Sequence, residues 1–377
     1  MLTKNRLIDC RQCVTMRLEG APVDRAGAVM KHTSKARPRY IPASIAVEFL
    51  RRAESTGDSL DELVRRSRVP YSLSALRTGK VPELTRAEFA ALYRECMLAL
   101  ERHASRQDGR DIVKVSEFHM MCYCIINCAT LGEAIQRAVE FCRMIGDRVA
   151  EFELIERSGM AEFYMNFKNH TRTPSAFLID LQGLSNLYRL FSWLIGNAIP
   201  LQTVEIAYSE SMREAMVIEM FPVPVRLEAE KNKISFSVDY LRRPIVKTYS
   251  HLVELLKLFP HDLMPPDYCT EGIAEHVKVV FNIAIMKRQT LPTVERLAQL
   301  FGHSSTTFRR RLAEENTSVS KLRNECLKEL ATVMMRRTAD TNEQIARRLG
   351  FSDADSFRRA FRKWTSLAPS EYRRRLS

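Results

Sequence analysis

The 377-residue chain is 45% hydrophobic and carries 58 Lys/Arg against 45 Asp/Glu, a net charge of +13. That length accommodates two or three domains with real cores, and no apolar run approaches the roughly 18 residues of a membrane span. Nine cysteines without a scaffold spacing argue for reduced thiols in a cytoplasmic protein, not for a disulfide-stapled secreted one. Charge is unevenly spread. Residues 271–377 hold 21 Lys/Arg and 12 Asp/Glu, residues 51–270 hold 28 and 29, and residues 1–50 hold 9 and 4. A near-neutral body with a basic C-terminal end suits a polyanionic partner at that end and argues against a membrane-surface role.

Residues 1–40 show no apolar period and many basic side chains, and read as a disordered basic tail. Cys10 and Cys13 form a lone CxxC with no second pair, so no metal site is expected there. From Ile41 the pattern turns helical. Ile45, Phe49 and Leu50 mark one amphipathic helix, Leu60, Leu63 and Val64 a second, and Phe89, Leu92, Tyr93 and Cys96 a third. Thr130 to Arg148 reads as a helix capped by Thr130, with Glu133 at its third position. Alternation on either side of Arg157-Ser158-Gly159 predicts a β-hairpin. Leu178 to Ile195 is expected to be helical, Gln202 to Tyr208 a strand, and Ser211 to Phe221 a helix. VRLEAEKNKISFSV is expected to be a second hairpin, turned at Lys231-Asn232. Helices and antiparallel strands in mixed order predict an α+β domain over residues 41–265, followed by a hinge around Pro265-Pro266.

No GxGxxG, P-loop, HExxH or GxSxG motif occurs in the chain. His119, His170 and His251 are isolated, and Asp147-Arg148 reads as a helix-end charge pair. No catalytic residue, metal or cofactor is therefore expected. Cys122, Cys124 and Cys128 are candidate redox sensors, although small apolar cysteines more commonly pack a core. The aromatic and methionine set Phe118, Met120, Met121, Phe141, Met144, Phe191 and Trp193 is core material. Of these, Phe118, Met121, Phe141, Met144, Phe191 and Trp193 are candidate lining for an effector pocket, whose ligand would then have a substantial apolar part.

The C-terminal segment contains a repeat. Leu297, Ala298, Gly302 and Ser304 match Ile345, Ala346, Gly350 and Ser352, and Phe308, Arg309, Arg310 and Leu312 match Phe357, Arg358, Arg359 and Phe361 after one inserted residue. Each copy reads as a short helix, a glycine turn and a capped basic helix, which is a helix-turn-helix unit. The units span residues 291–315 and 341–364, with second helices over about 305–315 and 353–364. Ser352 is the expected cap of the last helix. In each of these helices aromatic or aliphatic side chains recur on one stripe while the arginines point elsewhere. Between the units, Val319, Leu322, Cys326, Leu327, Leu330 and Val333 predict one long helix from Ser318 to Arg337. About 20 residues at 1.5 Å rise span roughly 30 Å, close to the roughly 34 Å of one DNA turn.

Ile345 to Arg374, IARRLGFSDADSFRRAFRKWTSLAPSEYRR, carries the signature of the AraC family of bacterial transcription regulators, and residues 271–377 resemble its DNA-binding domain. One departure is Ser366, where the family usually has glycine; it bears on a local turn. TLGEAIQRAVEFCRMIGDR, NLYRLFSWLIGNAIPLQTVEIAY and FPVPVRLEAEKNKISFSVDYLRRPIV resemble the N-terminal effector domain of one subgroup, labelled arabinose-binding, which includes ornithine-utilisation-type regulators. The resemblance implies an α+β effector domain followed by an all-α tandem helix-turn-helix domain joined by a long linker helix. It implies a sequence-specific transcription regulator whose partners are double-stranded DNA, a small-molecule effector, RNA polymerase and a second copy of the chain. Carried over by position, Thr306, Arg309, Arg310, Ala354, Asp355, Arg358 and Arg359 are the base-reading candidates. Ser304, Ser352, Arg362, Lys363 and Arg373 are the phosphate contacts. Asp355 also has a reading as a cap of its own helix, and Arg311 as surface charge. The alternative from another class is a DNA-targeted alkyl-transfer repair enzyme, which would need an activated cysteine that no motif here supplies.

Overall fold

Why the chain folds as it does is clearest at its helix starts, where Ser and Thr side chains meet the orphan amides. The computed structural model describes residues 40–108, 114–146, 150–167, 172–216, 220–262, 272–286, 289–337 and 340–375. Of the tail expected over 1–40, Tyr40 instead opens the first strand; residues 1–39, Asp147, Arg148, His170 and the Pro265-Pro266 hinge lie outside the described residues. A two-stranded antiparallel pair, β1 (Tyr40–Pro42) and β2 (Glu83–Thr85), brackets α1 (Ala43–Glu54), α2 (Leu60–Ser67) and α3 (Leu73–Arg77). Ser59 and Ser72 cap α2 and α3 by accepting from the backbone N–H groups of Glu62 and Ala75. The helices α1 and α2 pack on α4 (Arg86–Asp108), where Tyr93 lies 4.6 Å from Phe49 and 5.9 Å from Phe89 between ring centroids.

Next come α5 (Val115–Ile125) and α6 (Leu131–Met144). Thr130 accepts from the Glu133 N–H, and the Glu133 carboxylate accepts from Ala129 N–H at 2.7 Å, so both ends of that cap are satisfied. A five-stranded sheet has the order β3-β4-β7-β5-β6, from β3 (Ala150–Arg157), β4 (Met160–Phe167), β5 (Leu201–Glu205), β6 (Val225–Arg226) and β7 (Lys233–Ser237). The β3–β4 hairpin turns through Ser158 and Gly159, at φ of +50° and +79°. Two successive positive φ values match the right-handed twist of the strands. The helix α7 (Pro174–Leu194) covers the sheet and is buried at every position from Ser175 to Leu194 except Ile179 and Gly183. Its Phe191 meets Phe163 of β4 edge-on at 5.2 Å.

Two expectations fail in this region. The stretch from Val225 to Ser237 is not a hairpin: β5 lies between β6 and β7, pairing parallel with the first and antiparallel with the second. Asn232, expected at an exposed tip, is buried; its Oδ1 accepts from Ala207 N–H at 2.8 Å and its carbonyl from Met165 N–H at 3.0 Å. The helix expected from Ser211 to Phe221 is a single 3-10 stretch, Glu210–Ala215, started by Ser209, whose hydroxyl accepts from Ser211 N–H.

After α8 (Tyr249–Leu256) the chain runs past Phe259 to Asp262, whose carboxylate pairs with Arg86 and whose carbonyl accepts from Arg189. Beyond it stand α9 (Ile273–Met286), α10 (Val294–Leu300), α11 (Ser305–Glu314), α12 (Val319–Arg337), α13 (Asn342–Arg348), α14 (Ala354–Thr365) and α15 (Pro369–Arg374). One core runs from Ile41 to Phe259. A second joins α9, α10, α11 and the first half of α12, and a third joins the far half of α12 to α13 and α14. Leu322 and Cys326 of α12 serve the second core, and Leu327, Ala331 and Met335 the third. Val333, expected on the buried stripe, is 46% exposed.

Candidate nucleic-acid interface and cavity

The helix α10 starts at Thr293, which accepts from Arg296 N–H, and ends at a turn in which Gly302 adopts φ +68°. Ser304 then caps α11 by accepting from Thr307 N–H. In the second unit Thr341 and Gln344 form a reciprocal capping box on α13, and Gly350 turns at φ +78°. The cap of α14 is Asp353, not Ser352: its carboxylate accepts from Ser356 N–H at 2.6 Å, and the Ser352 hydroxyl donates to Asp353. The residue inserted in the second copy therefore sits ahead of the cap, and a carboxylate takes over from the serine of the first copy. Ser366 closes α14 at φ +61°, the left-handed conformation glycine adopts at least cost.

Phe308 and Leu312 in α11, and Phe357 and Phe361 in α14, are fully buried. That fixes the opposite faces outward. Thr306, Arg309, Arg310, Asp355, Arg358, Arg359, Arg362, Lys363, Ser304 and Ser352 are exposed, and Ala354 is half-buried. Arg309 pairs with Glu295 at 3.2 Å, Arg310 with Glu314 at 3.8 Å, and Arg358 with Asp355. Such exposed pairs are weak and screened. Asp355 holds its Arg358 partner instead of capping the helix. Arg373 is placed differently from the other basic candidates: it is half-buried and donates to the Asp340 carbonyl at 2.6 Å, bracing α15 against the start of the second unit. Arg311 donates to His303 Nε2 at 3.1 Å. With 19 residues, α12 is about 28 Å long.

In the N-terminal domain a cavity of about 170 Å³ opens between α4, α5, α6, β3, β4, α7 and the Pro260-His261 segment. Its polar lining consists of Glu101, Glu117, Gln182, Asn186 and His261. The rest is apolar.

The family model described as "Arabinose-binding domain of AraC transcription regulator, N-term" matches residues 59–245, and a helix-turn-helix domain model matches residues 297–375. The chain belongs to the AraC family of transcription regulators. It is 29% identical over 264 residues to the ornithine utilization regulator of Pseudomonas aeruginosa, covering 69% of this chain and 76% of that one. An HTH-type transcriptional regulator of Mycobacterium tuberculosis is 24% identical over 265 residues, with the same two shares. A crystal structure of the transcriptional regulator CdpR from Pseudomonas aeruginosa aligns over 88% of this chain and 98% of that one, at 17% identity and a TM-score of 0.30. This AraC-family protein is thus a DNA-binding transcription regulator, with no helix among the described residues long and apolar enough to cross a membrane.

Of the pocket residues expected from sequence in this regulator, Phe118, Met121 and Phe141 line the cavity. The other three do not. Met144, in the last turn of α6, is 74% exposed, because the helix ends before its face returns to the core. Phe191 packs against Phe163 inside the sheet core, and Trp193 is buried under the Lys247 ammonium, 5.9 Å from its ring centre. The polar cavity residues, Glu101, Glu117, Gln182, Asn186 and His261, were not singled out by the sequence. Only Gln182 and Asn186 had a local sign, polarity within the largely apolar α7.

The cysteines behave as core. Cys122 and Cys128 are fully buried and Cys124 is half-buried. Burial pushes the Cys122 thiol far up, and that of Cys96 up to about 12, so neither is a thiolate at neutral pH. Among the described residues no cluster of His, Cys, Asp and Glu could hold a metal ion. His251 accepts from Thr248 N–H at 3.1 Å and caps α8.

Proposed function

We propose that this regulator answers to a small-molecule effector held in its α+β domain, and that α11 and α14 enter successive major grooves on one face of a DNA duplex. The observation that carries the reading is the pair of capped helices with outward arginines at matched positions, Arg309-Arg310 and Arg358-Arg359, at the two ends of a helix about one DNA turn long. Arginine reads guanine through O6 and N7, and Asp355 can accept from cytosine N4. Thr306 and Ala354 face base edges through apolar contact. Ser304, Ser352, Arg362, Lys363 and, less directly, Arg373 position the protein on phosphates without specifying sequence. The protein acts without catalysis, in the cytoplasm, as a partner of RNA polymerase, and binds as one or two copies. The burial of Cys122 and Cys128 weighs against the alkyl-transfer alternative, which needs an accessible thiolate.

The test is fluorescence anisotropy on duplexes selected from a random library. Arg310→Ala and Arg359→Ala should each lose about 1–3 kcal/mol of specific binding and relax preference at one base position. Log affinity should fall linearly with log salt as phosphate contacts release counterions. Unchanged base preference in both variants would rule out the docking.

A further inference from the structure

The central helix α7 is enclosed by protein on every side but one. Between Ser175 and Leu194 the two positions that keep partial exposure are Ile179 and Gly183, and both line the cavity. Gln182, Asn186 and Leu187 line it with them. These five fall at i, i+3, i+4, i+7 and i+8, one continuous stripe of a helix. The cavity is therefore where α7 lacks protein cover. At about 170 Å³ it is near the roughly 150 Å³ of an apolar cavity that admits benzene. Phe118, Met121, Phe141 and Phe152 supply apolar wall.

Two carboxamides stand in that stripe. Asp180, Ser185 and Ser192, buried in α7 but off the stripe, are paired within the protein. The Tyr208 hydroxyl donates to Asp180 at 2.8 Å, Ser185 donates to the Met220 carbonyl at 3.2 Å, and Ser192 accepts from Ile199 N–H at 3.2 Å. Gln182 is different. It is 6% exposed, and among the described residues its carboxamide has no hydrogen-bond partner. Asn186 is equally enclosed; its Oδ1 accepts from Arg189 Nη1 at 3.5 Å, and its N–H groups have no partner among the described residues. Gln182 thus offers two N–H donors and one carbonyl, and Asn186 two more N–H donors, so donors prevail. A buried amide left unpaired is costly, and a ligand that pairs it recovers that cost. The other polar groups of the wall are less available: the His261 nitrogens are sealed in the packing, and the Glu117 carboxylate accepts from Lys114 N–H at 3.0 Å.

Resting on the effector-responsive reading above, we propose that this cavity is the effector site, and that its ligand carries an apolar body about one ring in size and a carbonyl oxygen that accepts from the side-chain amides of Gln182 and Asn186. A neutral amide or ketone and a carboxylate present the same accepting oxygen. A pentose fits poorly despite the arabinose-binding description of the family model, because its hydroxyls would be pressed against Phe118, Met121 and Phe141. Arg189 ties the site to the end of the domain. One of its nitrogens reaches Asn186 and another donates to the carbonyl of Asp262, whose carboxylate pairs with Arg86. Asp262 is the last described residue before the segment leading to α9. A ligand that draws on Asn186 thereby acts on the connection with the DNA-binding domain.

The experiment is isothermal titration of the full-length protein with four probes: benzamide, sodium benzoate, toluene and L-arabinose. Anisotropy on DNA is read from the same samples. Benzamide or benzoate should bind the wild type about tenfold more tightly than toluene, the equivalent of one hydrogen bond. Gln182→Leu, close in volume, should remove that margin and leave toluene binding intact, and Asn186→Leu should reduce it. Val115→Trp, at an exposed position of the lining, should block access while thermal melting shows the fold intact. Benzamide alone assigns a neutral head and benzoate alone a carboxylate; either upholds the proposal. Toluene bound as tightly as both, or a margin that survives Gln182→Leu and Asn186→Leu, overturns the carbonyl chemistry. Equal affinities in Val115→Trp, or no binding by any probe, overturns the site. A DNA response to L-arabinose that Val115→Trp leaves unchanged overturns the site and keeps the effector reading standing. Binding of the expected class that leaves DNA affinity unchanged at saturation upholds the ligand chemistry and overturns the effector reading.

Discussion

In the first helix-turn-helix unit, Arg243 of the N-terminal domain lies against the turn: a Cβ built at Gly302 would sit 2.2 Å from its Nη2. Phe301 stacks on His276, which in turn lies against Gly196 of the N-terminal domain. In the second unit a Cβ at Gly350 would meet nothing within 4 Å. Two copies of one motif thus sit in different settings. The first is in physical contact with the domain that holds the cavity; the second is tied to α12 and to Ile285 of α9 through the third core. If an effector binds the N-terminal domain, as proposed, these contacts lead directly to the turn before α11 and not to the one before α14. The caps differ too, a neutral hydroxyl at Ser304 and a carboxylate at Asp353.

The strongest way to break this comparison is Phe357→Ala. Phe357 is wholly buried in the third core, so the variant should lose about 3–5 kcal/mol of stability. If the units are separately built, denaturant unfolding should show the second unit melting early while the first keeps its protected amides; a single shared transition would show that they fold as one. A smaller loss is expected from Ser304→Ala, about 1 kcal/mol of local stability, seen as faster amide exchange at Thr307 with Ser356 unchanged.

Acid sharpens the difference between the caps. The Ser356 N–H, then the Ser352 and Ser356 hydroxyls, hold the Asp353 carboxyl below its ordinary value of 3.8. A lowered folded pKa means the cap contributes fully above that ordinary value and fades as pH falls through the folded one. The protection of Ser356, exchange taken relative to its intrinsic rate at each pH, should therefore fall on acidification below about pH 4, whereas Thr307, capped by a hydroxyl, should show no matching step. The smallest effect belongs to Arg243→Ala. His303 is held below its ordinary pKa by burial first, then by Arg311 and Arg243. Removing the Arg243 charge should raise that pKa, as read by NMR titration, and loosen Gly302 without touching Gly350.

Much of this was legible in the chain because it is local. Thr130 with Glu133, Thr341 with Gln344, and the glycine turns at Gly302 and Gly350 are short-range devices whose geometry follows from spacing. The hairpin at Ser158-Gly159 belongs to the same class. What escaped is non-local. Nothing between Val225 and Ser237 tells that β5 will insert there, because strand order is set by partners distant in sequence, such as Val204 for Val225 and Leu201 for Phe236. Phe191 and Trp193 are candidate lining on aromatic character alone, whereas the cavity side of α7 is the one that carries Gln182 and Asn186. His261 carried no pattern at all; only packing left its nitrogens unpaired.

By itself the sequence determined that two capped basic helices follow glycine turns at a repeat of 48 to 49 residues, joined by a helix near one DNA turn in length. Those features rest on bonds between residues a few positions apart, so composition and spacing suffice. Only the tertiary structure decided which apolar side chains close the core and which leave a cavity, that Asp353 rather than Ser352 caps the last basic helix, and that Arg243 of the N-terminal domain lies against the turn of the first unit. These depend on which surfaces, distant in sequence, are brought within a few ångströms, and close packing resolves that for the whole molecule at once.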